Sequence, residues 1–190
     1  MKRFTPKTLF SKTRVLSTLF VMLTPIVALA ATPSTAPKVD DMAVSGNLGF
    51  AVPFDGPFDK IEPALTGTFE YYTTPRMSWR GLLGFTSFKA NFPGDPKLDV
   101  TFINANFVYN WERGKIHPFA TAGVGVYRKN GSSGLPSNFD ETVFGMNAGG
   151  GIDWFLGPRW GLKFEGSLHG VTGDDPNTFV IGTAGVMFWF

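Results

Sequence analysis

Three residues near the C-terminal end of the sequence have side chains that could form a hydrolase site. Glu165, Ser167 and His169 alternate with small or apolar residues in "EGSLH", and a serine activated by a histidine with a carboxylate partner is a common nucleophile arrangement. Their spacing of two predicts one face of a β-strand, on which residues i and i+4 lie about 13 Å apart. That is too far for a direct hydrogen bond between Glu165 and His169. We therefore interpret all three as ordinary polar residues and predict no catalytic site.

Other catalytic and cofactor chemistry is equally poorly supported. The chain has no cysteine, which excludes a zinc–thiolate site and a thiol nucleophile. His117, the only other histidine, has no cluster of metal-ligating residues beside it. The glycine runs at 123–125 and 149–151 lack the lysine and the helix start of a nucleotide loop. We predict a protein without enzymatic activity, bound metal or cofactor.

The first 30 residues have the layout of a secretory signal peptide. Five basic residues and no acidic residue precede or open an apolar run from Val15 to Ala30, which closes on Ala28-Leu29-Ala30. The run is shorter than the roughly 20 residues of a spanning helix, which disfavours an uncleaved anchor. We predict cleavage after Ala30 by the Sec-type export route, with residues 31–41 forming a short polar lead-in.

Removing this segment changes the electrostatic interpretation. It holds five of the 17 basic residues and none of the 15 acidic ones, so the remainder has 12 basic and 15 acidic residues and a net charge of −3. The basic isoelectric point therefore belongs to the leader. The sequence predicts no nucleic-acid partner.

The rest of the chain alternates with a period of two, the periodicity of β-strands. In the clearest segment, Trp160, Leu162 and Phe164 alternate with Lys163 and Glu165. Glycine and proline interrupt the pattern often enough to separate strands from turns. Eight such segments are predicted, at 42–54, 61–72, 77–89, 99–111, 116–128, 143–155, 160–169 and 178–190.

Alternation alone would also suit a soluble β-sandwich with one wet face. The segments are about 11 to 13 residues long, against a usual strand of five or six, and are long enough to cross a bilayer at a tilt. One face is strongly apolar, and tight turns at 73–76, 112–115 and 156–159 alternate with longer polar connections. We predict an all-β fold, an eight-stranded antiparallel up-and-down transmembrane β-barrel over 42–190.

Aromatic residues are expected to mark one membrane interface. All five tryptophans, including Trp189, lie beside tight turns or the C-terminus, as an aromatic girdle requires. Because an open sheet would leave unpaired backbone groups in hydrocarbon, the first and eighth strands should pair. The predicted girdle residues are Trp79, Trp111, Trp154, Trp160, Phe188 and Phe190.

The opposite strand faces should line the barrel interior. An eight-stranded barrel is just wide enough for side chains to fill it, so we predict a polar plug in which Arg80 and Lys163 offset several carboxylates. A narrow ion path through the same interior is the alternative. The predicted polar network consists of Glu62, Glu70, Arg80, Asn104, Asn106, Asn147, Asp153, Lys163, Glu165 and His169.

The aromatic-rich closing strand ending at Phe190 resembles the signal read by the barrel-assembly machinery of Gram-negative bacteria. The stretch "FGMNAGGGIDWFLGPRWGLKFEGSLHG" (144–170) resembles the penultimate hairpin of small eight-stranded outer-membrane proteins. These are the OmpA/OmpX-like, opacity-type barrels of the porin family. Some other eight-stranded barrels are lipid A deacylases or acyltransferases, but this chain is similar to those enzymes only in strand count.

This resemblance covers about 42–190 and implies an integral protein of the Gram-negative outer membrane with a structural or surface-interaction role. The expected orientation has the long loops extracellular and the tight turns, the lead-in and both ends of the barrel on the periplasmic side. The implied partners are outer-membrane lipid and lipopolysaccharide, and the assembly machinery through the closing strand. A surface ligand would bind residues 129–141, the longest connection. A small-solute porin and a lipid-modifying enzyme remain the alternatives.

Overall fold

The computed structural model describes residues 37–54, 58, 60–90, 96–111, 114–131, 140–173 and 177–190. The predicted signal peptide and most of the lead-in lie outside these residues. In the described ranges no helix is long and apolar enough to cross a membrane. The secondary structure of this part is eight β-strands in one closed antiparallel barrel.

Every strand pairs with its neighbours in sequence, and the eighth strand returns to pair with the first. This confirms the predicted up-and-down barrel. The strands are β1 (Met42–Pro53), β2 (Glu62–Thr74), β3 (Met77–Lys89), β4 (Lys97–Asn110), β5 (Ile116–Gly131), β6 (Asp140–Phe155), β7 (Trp160–Val171) and β8 (Thr178–Trp189).

β5 and β6 exceed the lengths that the sequence pattern predicts by the most, three residues each. Residues 129–141 were expected to form one loop, but Lys129 pairs with Glu141 and Asn130 with Asp140 in the β5–β6 ladder. The alternation of apolar residues stops before these pairs, so the pattern could not reveal that the ladder continues. Residues 132–139 of the expected loop lie outside the described residues.

The strand faces are the inverse of those in a soluble protein. Phe69 is 49% exposed and Phe164 is 42% exposed, whereas their neighbours Glu70 and Lys163 are 1% and 2% exposed. A soluble fold would bury the phenylalanines and expose the charges. Large apolar side chains on the outside suit contact with lipid acyl chains, and the interior takes the polar groups.

Closure is complete at the seam between β1 and β8. Their register runs from Ala43 opposite Trp189 to Pro53 opposite Phe179. Beyond the last assigned strand residue, Met42 and Phe190 exchange two backbone hydrogen bonds of 3.0 and 2.9 Å. Phe190 therefore occupies the terminal rung of the seam, and no edge strand is left for the hydrocarbon to face.

Two glycines of β1 allow a test of the seam. A Cβ atom on Gly49 would overlap the backbone carbonyl oxygen of Gly182 across the β1–β8 pair, whereas one on Gly46 meets nothing within 4 Å. Gly49→Ala should therefore lower the free energy of unfolding by about 1–3 kcal/mol, because the overlap forces the backbone to shift. Gly46→Ala is the matched control and should change it by less than about 0.5 kcal/mol.

Urea titration of the barrel in lipid vesicles, read by gel migration without boiling, measures both variants. Equal stabilities for the two alanine variants would contradict tight packing at the seam.

Candidate functional site

The interior of the barrel, where the predicted polar network should lie, is divided into three layers along its axis. An apolar layer near the longer connections contains Phe88, Phe102 and Phe179, and another near the tight turns contains Phe155 and Trp189. Most of the buried charged and amide side chains lie between them. After the orientation expected from the sequence, we call the layer near the longer connections the extracellular cap and the layer near the tight turns the periplasmic cap. The layer between them is the polar layer. The extracellular cap comprises Ala51, Phe58, Ala64, Leu82, Phe88, Ala90, Leu98, Val100, Phe102, Tyr127, Val171, Phe179 and Ile181. The periplasmic cap comprises Ala43, Tyr72, Phe155, Met187 and Trp189.

The caps were not foreseen from the sequence, which predicted a polar interior along its whole length. A signal was present, because Phe88 has the same strand parity as Arg80 and Thr86 and must share their face. Seven of the twelve phenylalanines in the strands face outward, and this outward pattern hides the inward aromatic residues.

The centre of the polar layer is an ion-pair network on four strands. Arg80 donates from Nε to Glu70 at 2.8 Å and from Nη1 to Glu165 at 2.9 Å. Lys163 Nζ lies 2.8 Å from Asp153 Oδ1 and 3.8 Å from Glu70 Oε2. These five side chains are at most 7% exposed. Buried charges are costly unless paired, so this network compensates its own desolvation.

An aromatic ring completes this network. Arg80 Cζ lies 4.8 Å and Lys163 Nζ lies 4.5 Å from the centroid of the Phe119 ring. A Cβ atom on Gly151 of the neighbouring strand would meet this ring, so the glycine provides the space that Phe119 occupies. The electron-rich ring face stabilises both cations where they face no carboxylate. Phe119 is not among the predicted network residues, although its parity with Thr121 places it inside.

Amide side chains form a second part of the polar layer. Asn106 donates to Asn147 at 2.7 Å and to Thr121 at 3.2 Å, and Asn147 donates back to Asn106 at 3.3 Å. On the opposite side of the barrel, Asn47 of β1 donates to Ser45 and to Thr66. Only the Asn106–Asn147 bonds skip a strand, since they link β4 to β6 past β5, whereas the others stay within one strand or join neighbouring strands.

The serine and histidine singled out in the sequence do meet. Ser167 Oγ is 2.9 Å from His169 Nε2, and Tyr127 Oη is 2.9 Å from His169 Nδ1. Glu165 instead accepts from Arg80, and the tyrosine takes the position that a carboxylate would need to fill. His169 is fully buried and stacks on Phe179 with a centroid distance of 4.9 Å. This pair therefore has the contact of a nucleophile and base but, among the described residues, no carboxylate partner.

The structure places all ten predicted network residues on the inner face. Nine are buried, and the Glu165 side chain is 7% exposed. Glu62 lies apart from the central network, at the extracellular end, where Lys89 Nζ approaches its carboxylate at 3.9 Å. Among the described residues no group of three or more His, Cys, Asp or Glu could hold a metal ion.

The six predicted girdle residues are exposed on the outer surface near the tight turns. The expectation that all five tryptophans belong to this girdle was wrong. Trp189 is only 4% exposed and packs edge-on against Phe155 with a centroid distance of 5.0 Å. Trp189 follows Phe188, which faces outward, so the alternation along the strand directs the Trp189 side chain into the interior.

Neutralising Arg80 should test whether the polar layer holds the barrel together. Arg80→Gln leaves Glu70, Glu165 and Asp153 with Lys163 as the only nearby cation, and should lower the free energy of unfolding by about 3–5 kcal/mol. Arg128→Gln is the control, because the exposed Arg128–Asp140 pair at 3.4 Å should contribute at most about 1 kcal/mol.

Urea unfolding in lipid vesicles measures both variants. Adding Glu70→Gln to Arg80→Gln should recover part of the loss, because the coupled pair is then removed together. An Arg80→Gln variant as stable as Arg128→Gln would show that the network is dispensable.

Comparisons with known proteins agree with this geometry. The chain is similar in structure to Neisserial surface protein A (TM-score 0.65, 16% identity, covering 78% of this chain and 97% of that one). It is also similar to OprG from Pseudomonas aeruginosa (0.62, 11%, 82% and 98%) and to Ail of Yersinia pestis (0.55, 12%, 80% and 99%). No curated protein sequence matched the chain. Residues 18–188 match the family described as "Outer membrane protein beta-barrel domain", and the chain belongs to this family of outer-membrane β-barrels.

Proposed function

We propose that this protein is a non-conducting outer-membrane barrel that acts through its surface and has no catalytic activity. The observation that carries the proposal is the filled interior, in which two apolar caps enclose a self-compensating polar layer. A solute crossing the barrel would have to displace both caps and separate the Arg80 ion pairs.

The caps are packed side chain against side chain. Phe88 contacts Phe179 with a centroid distance of 5.6 Å, and Phe102 stacks on Tyr127 at 5.4 Å. At the other end Phe155 contacts His117 at 4.8 Å as well as Trp189. Such ring clusters exclude water and give an ion no polar groups to replace its hydration shell.

A narrow channel is the second candidate, and one observation favours it. Several buried polar atoms of the polar layer have no hydrogen-bond partner among the described residues, including Arg80 Nη2, Asn104 Oδ1 and Asp153 Oδ2. Such groups suit a hydrated segment between the caps. Conduction would still require both caps to open.

The proposed surface role resides in the longer connections, which emerge at one end of a rigid scaffold. One similar protein, Ail of Yersinia pestis, is also known in complex with the heparin analogue sucrose octasulfate. In this chain the connections 55–60, 90–98, 129–141 and 171–177 contain seven acidic and three basic residues. This charge disfavours a sulfated polyanion and favours a neutral or cationic surface ligand.

The environment of the barrel follows from its family, namely outer-membrane lipid and lipopolysaccharide. Recognition of the closing strand β8 by the barrel-assembly machinery stays a prediction, as does export by the signal peptide. The first of these is consistent with the seam described above, in which β8 closes the ladder against β1.

Planar-bilayer recordings test the filled interior. The wild-type barrel should give no reproducible conductance steps, and removing one cap alone, by Phe88→Ala with Phe102→Ala, should remain silent. Removing both caps, by adding Phe155→Ala and Trp189→Ala, should produce small discrete steps because the polar layer then opens to water. Outward-facing Phe85→Ala with Phe107→Ala is the matched control and should stay silent. Discrete steps from the wild type would favour the channel instead.

Lipid A analysis tests the absence of catalysis. Cells producing the wild type, Ser167→Ala or His169→Asn should yield identical lipid A mass spectra, because the buried Ser167–His169 pair has no carboxylate partner. A lipid A species that appears with the wild type and disappears with Ser167→Ala would show that the barrel is an enzyme.

A further inference from the structure

Three basic residues occupy equivalent positions at the turn end of the barrel. Arg76, Lys115 and Arg159 each immediately precede an odd-numbered strand, β3, β5 and β7 respectively. Each backbone carbonyl accepts the last hydrogen bond of the adjacent strand pair, from Asn110 at 2.7 Å, Phe155 at 2.8 Å and Trp189 at 3.1 Å. The barrel therefore repeats one cation at the terminal rung of three successive hairpins. We call this set the periplasmic collar.

The collar cations are exposed, and within the described part of the chain none of them forms an ion pair. The opposite end of the barrel differs. There Lys89 approaches Glu62 at 3.9 Å, Arg128 approaches Asp140 at 3.4 Å and Lys129 approaches Glu141 at 3.4 Å. These three cations at that end are paired within the protein, whereas the collar presents its cations to the surroundings.

The connecting segments also differ in charge between the two ends of the barrel: those at the collar end are mostly basic, and those at the other end are mostly acidic. The three tight turns contain Arg76, Arg113, Lys115 and Arg159 against a single acid, Glu112, whereas the longer connections are acidic. The fourth equivalent position, before β1, holds Asp41, whose carbonyl accepts from Tyr72 at 3.0 Å. Its carboxylate accepts from the backbone of Lys38 at 2.8 Å. The collar is thus basic around three hairpins and interrupted at the fourth.

The depth of the collar is set by the girdle. Trp79, Trp111, Trp154 and Trp160 are exposed on the outer surface close to the same turns, and such aromatic side chains lie at the headgroup level of a bilayer. A cation at the adjacent terminal rung is then at the depth of the lipid phosphates. A guanidinium fork suits phosphate oxygens, and a lysine ammonium binds them as a point charge.

We propose that the periplasmic collar binds the phosphate groups of anionic phospholipids in the periplasmic leaflet of the outer membrane. The site goes beyond the surface role proposed above, because it lies at the opposite end of the barrel and uses none of the longer connections. Each cation near an anionic lipid surface strengthens binding about fivefold, so the three together should contribute about 100-fold.

Native mass spectrometry of the folded barrel, released from micelles containing phosphatidylglycerol and phosphatidylethanolamine, tests this site. The wild type should retain phosphatidylglycerol preferentially, and 0.5 M salt should remove the preference. Combining Arg76→Gln, Lys115→Gln and Arg159→Gln should reduce apparent phosphatidylglycerol affinity about 100-fold. Lys89→Gln, Lys97→Gln and Arg128→Gln together are the matched control, which removes three cations from the other end and should leave the affinity unchanged.

Asp41→Asn gives a test with the opposite sign, since removing the acid from the fourth position should increase phosphatidylglycerol retention. Gel migration before boiling verifies that every variant is folded. A collar variant that retains phosphatidylglycerol as well as the wild type overturns the proposal. If that variant instead loses binding to isolated peptidoglycan sacculi, the collar recognises cell-wall carboxylates and the lipid assignment is wrong.

Discussion

The pairing of backbone groups inside the hydrocarbon is the constraint on which this structure depends. A peptide N–H or C=O without a partner costs several kcal/mol in lipid, so strands can cross only as a closed ladder. Closure between β1 and β8 then determines which residues face lipid, because side chains alternate along every strand of a cylinder. The exposed Phe69 and the buried Glu70 are two consequences of the same closure.

Closing eight strands creates an interior that must be filled. The strand number leaves a bore only wide enough for side chains, and any polar group placed there loses its water. The molecule resolves this by pairing Arg80 with Glu70 and Glu165, by pairing Lys163 with Asp153, and by placing Phe119 against both cations. The caps then keep water from the ends of this layer, which strengthens each ion pair inside it.

Sequence parity predicted the faces, and together with segment length and the alternation of tight and long connections it predicted the architecture. It placed Arg80, Lys163 and His169 inside and Trp79 and Trp160 outside, because alternation in a spanning strand depends on nothing beyond the strand itself. Parity also predicts inward positions for Phe88, Phe119 and Trp189. An aromatic residue in a membrane strand is, however, readily interpreted as facing lipid. Once a strand is placed, its parity outweighs the chemistry of any single residue.

The contacts between side chains could not be predicted in the same way. Arg80 and Glu165 are 85 positions apart, and whether they meet depends on the stagger of the four ladders between β3 and β7. Each ladder can shift by two residues without exchanging inward and outward faces. The alternation pattern therefore does not reveal the stagger, which brings Glu165 to Arg80 and His169 to Tyr127.

The two kinds of charge in this barrel follow from their surroundings. Inside, where water is excluded, a cation without an anion would be too costly, so Arg80 and Lys163 are held in a network by carboxylates and a ring. At the tight turns, water and lipid headgroups can solvate a cation, so Arg76, Lys115 and Arg159 need no partner from the chain for stability. Cations that the fold does not require, repeated at equivalent rungs, are free to bind something outside it.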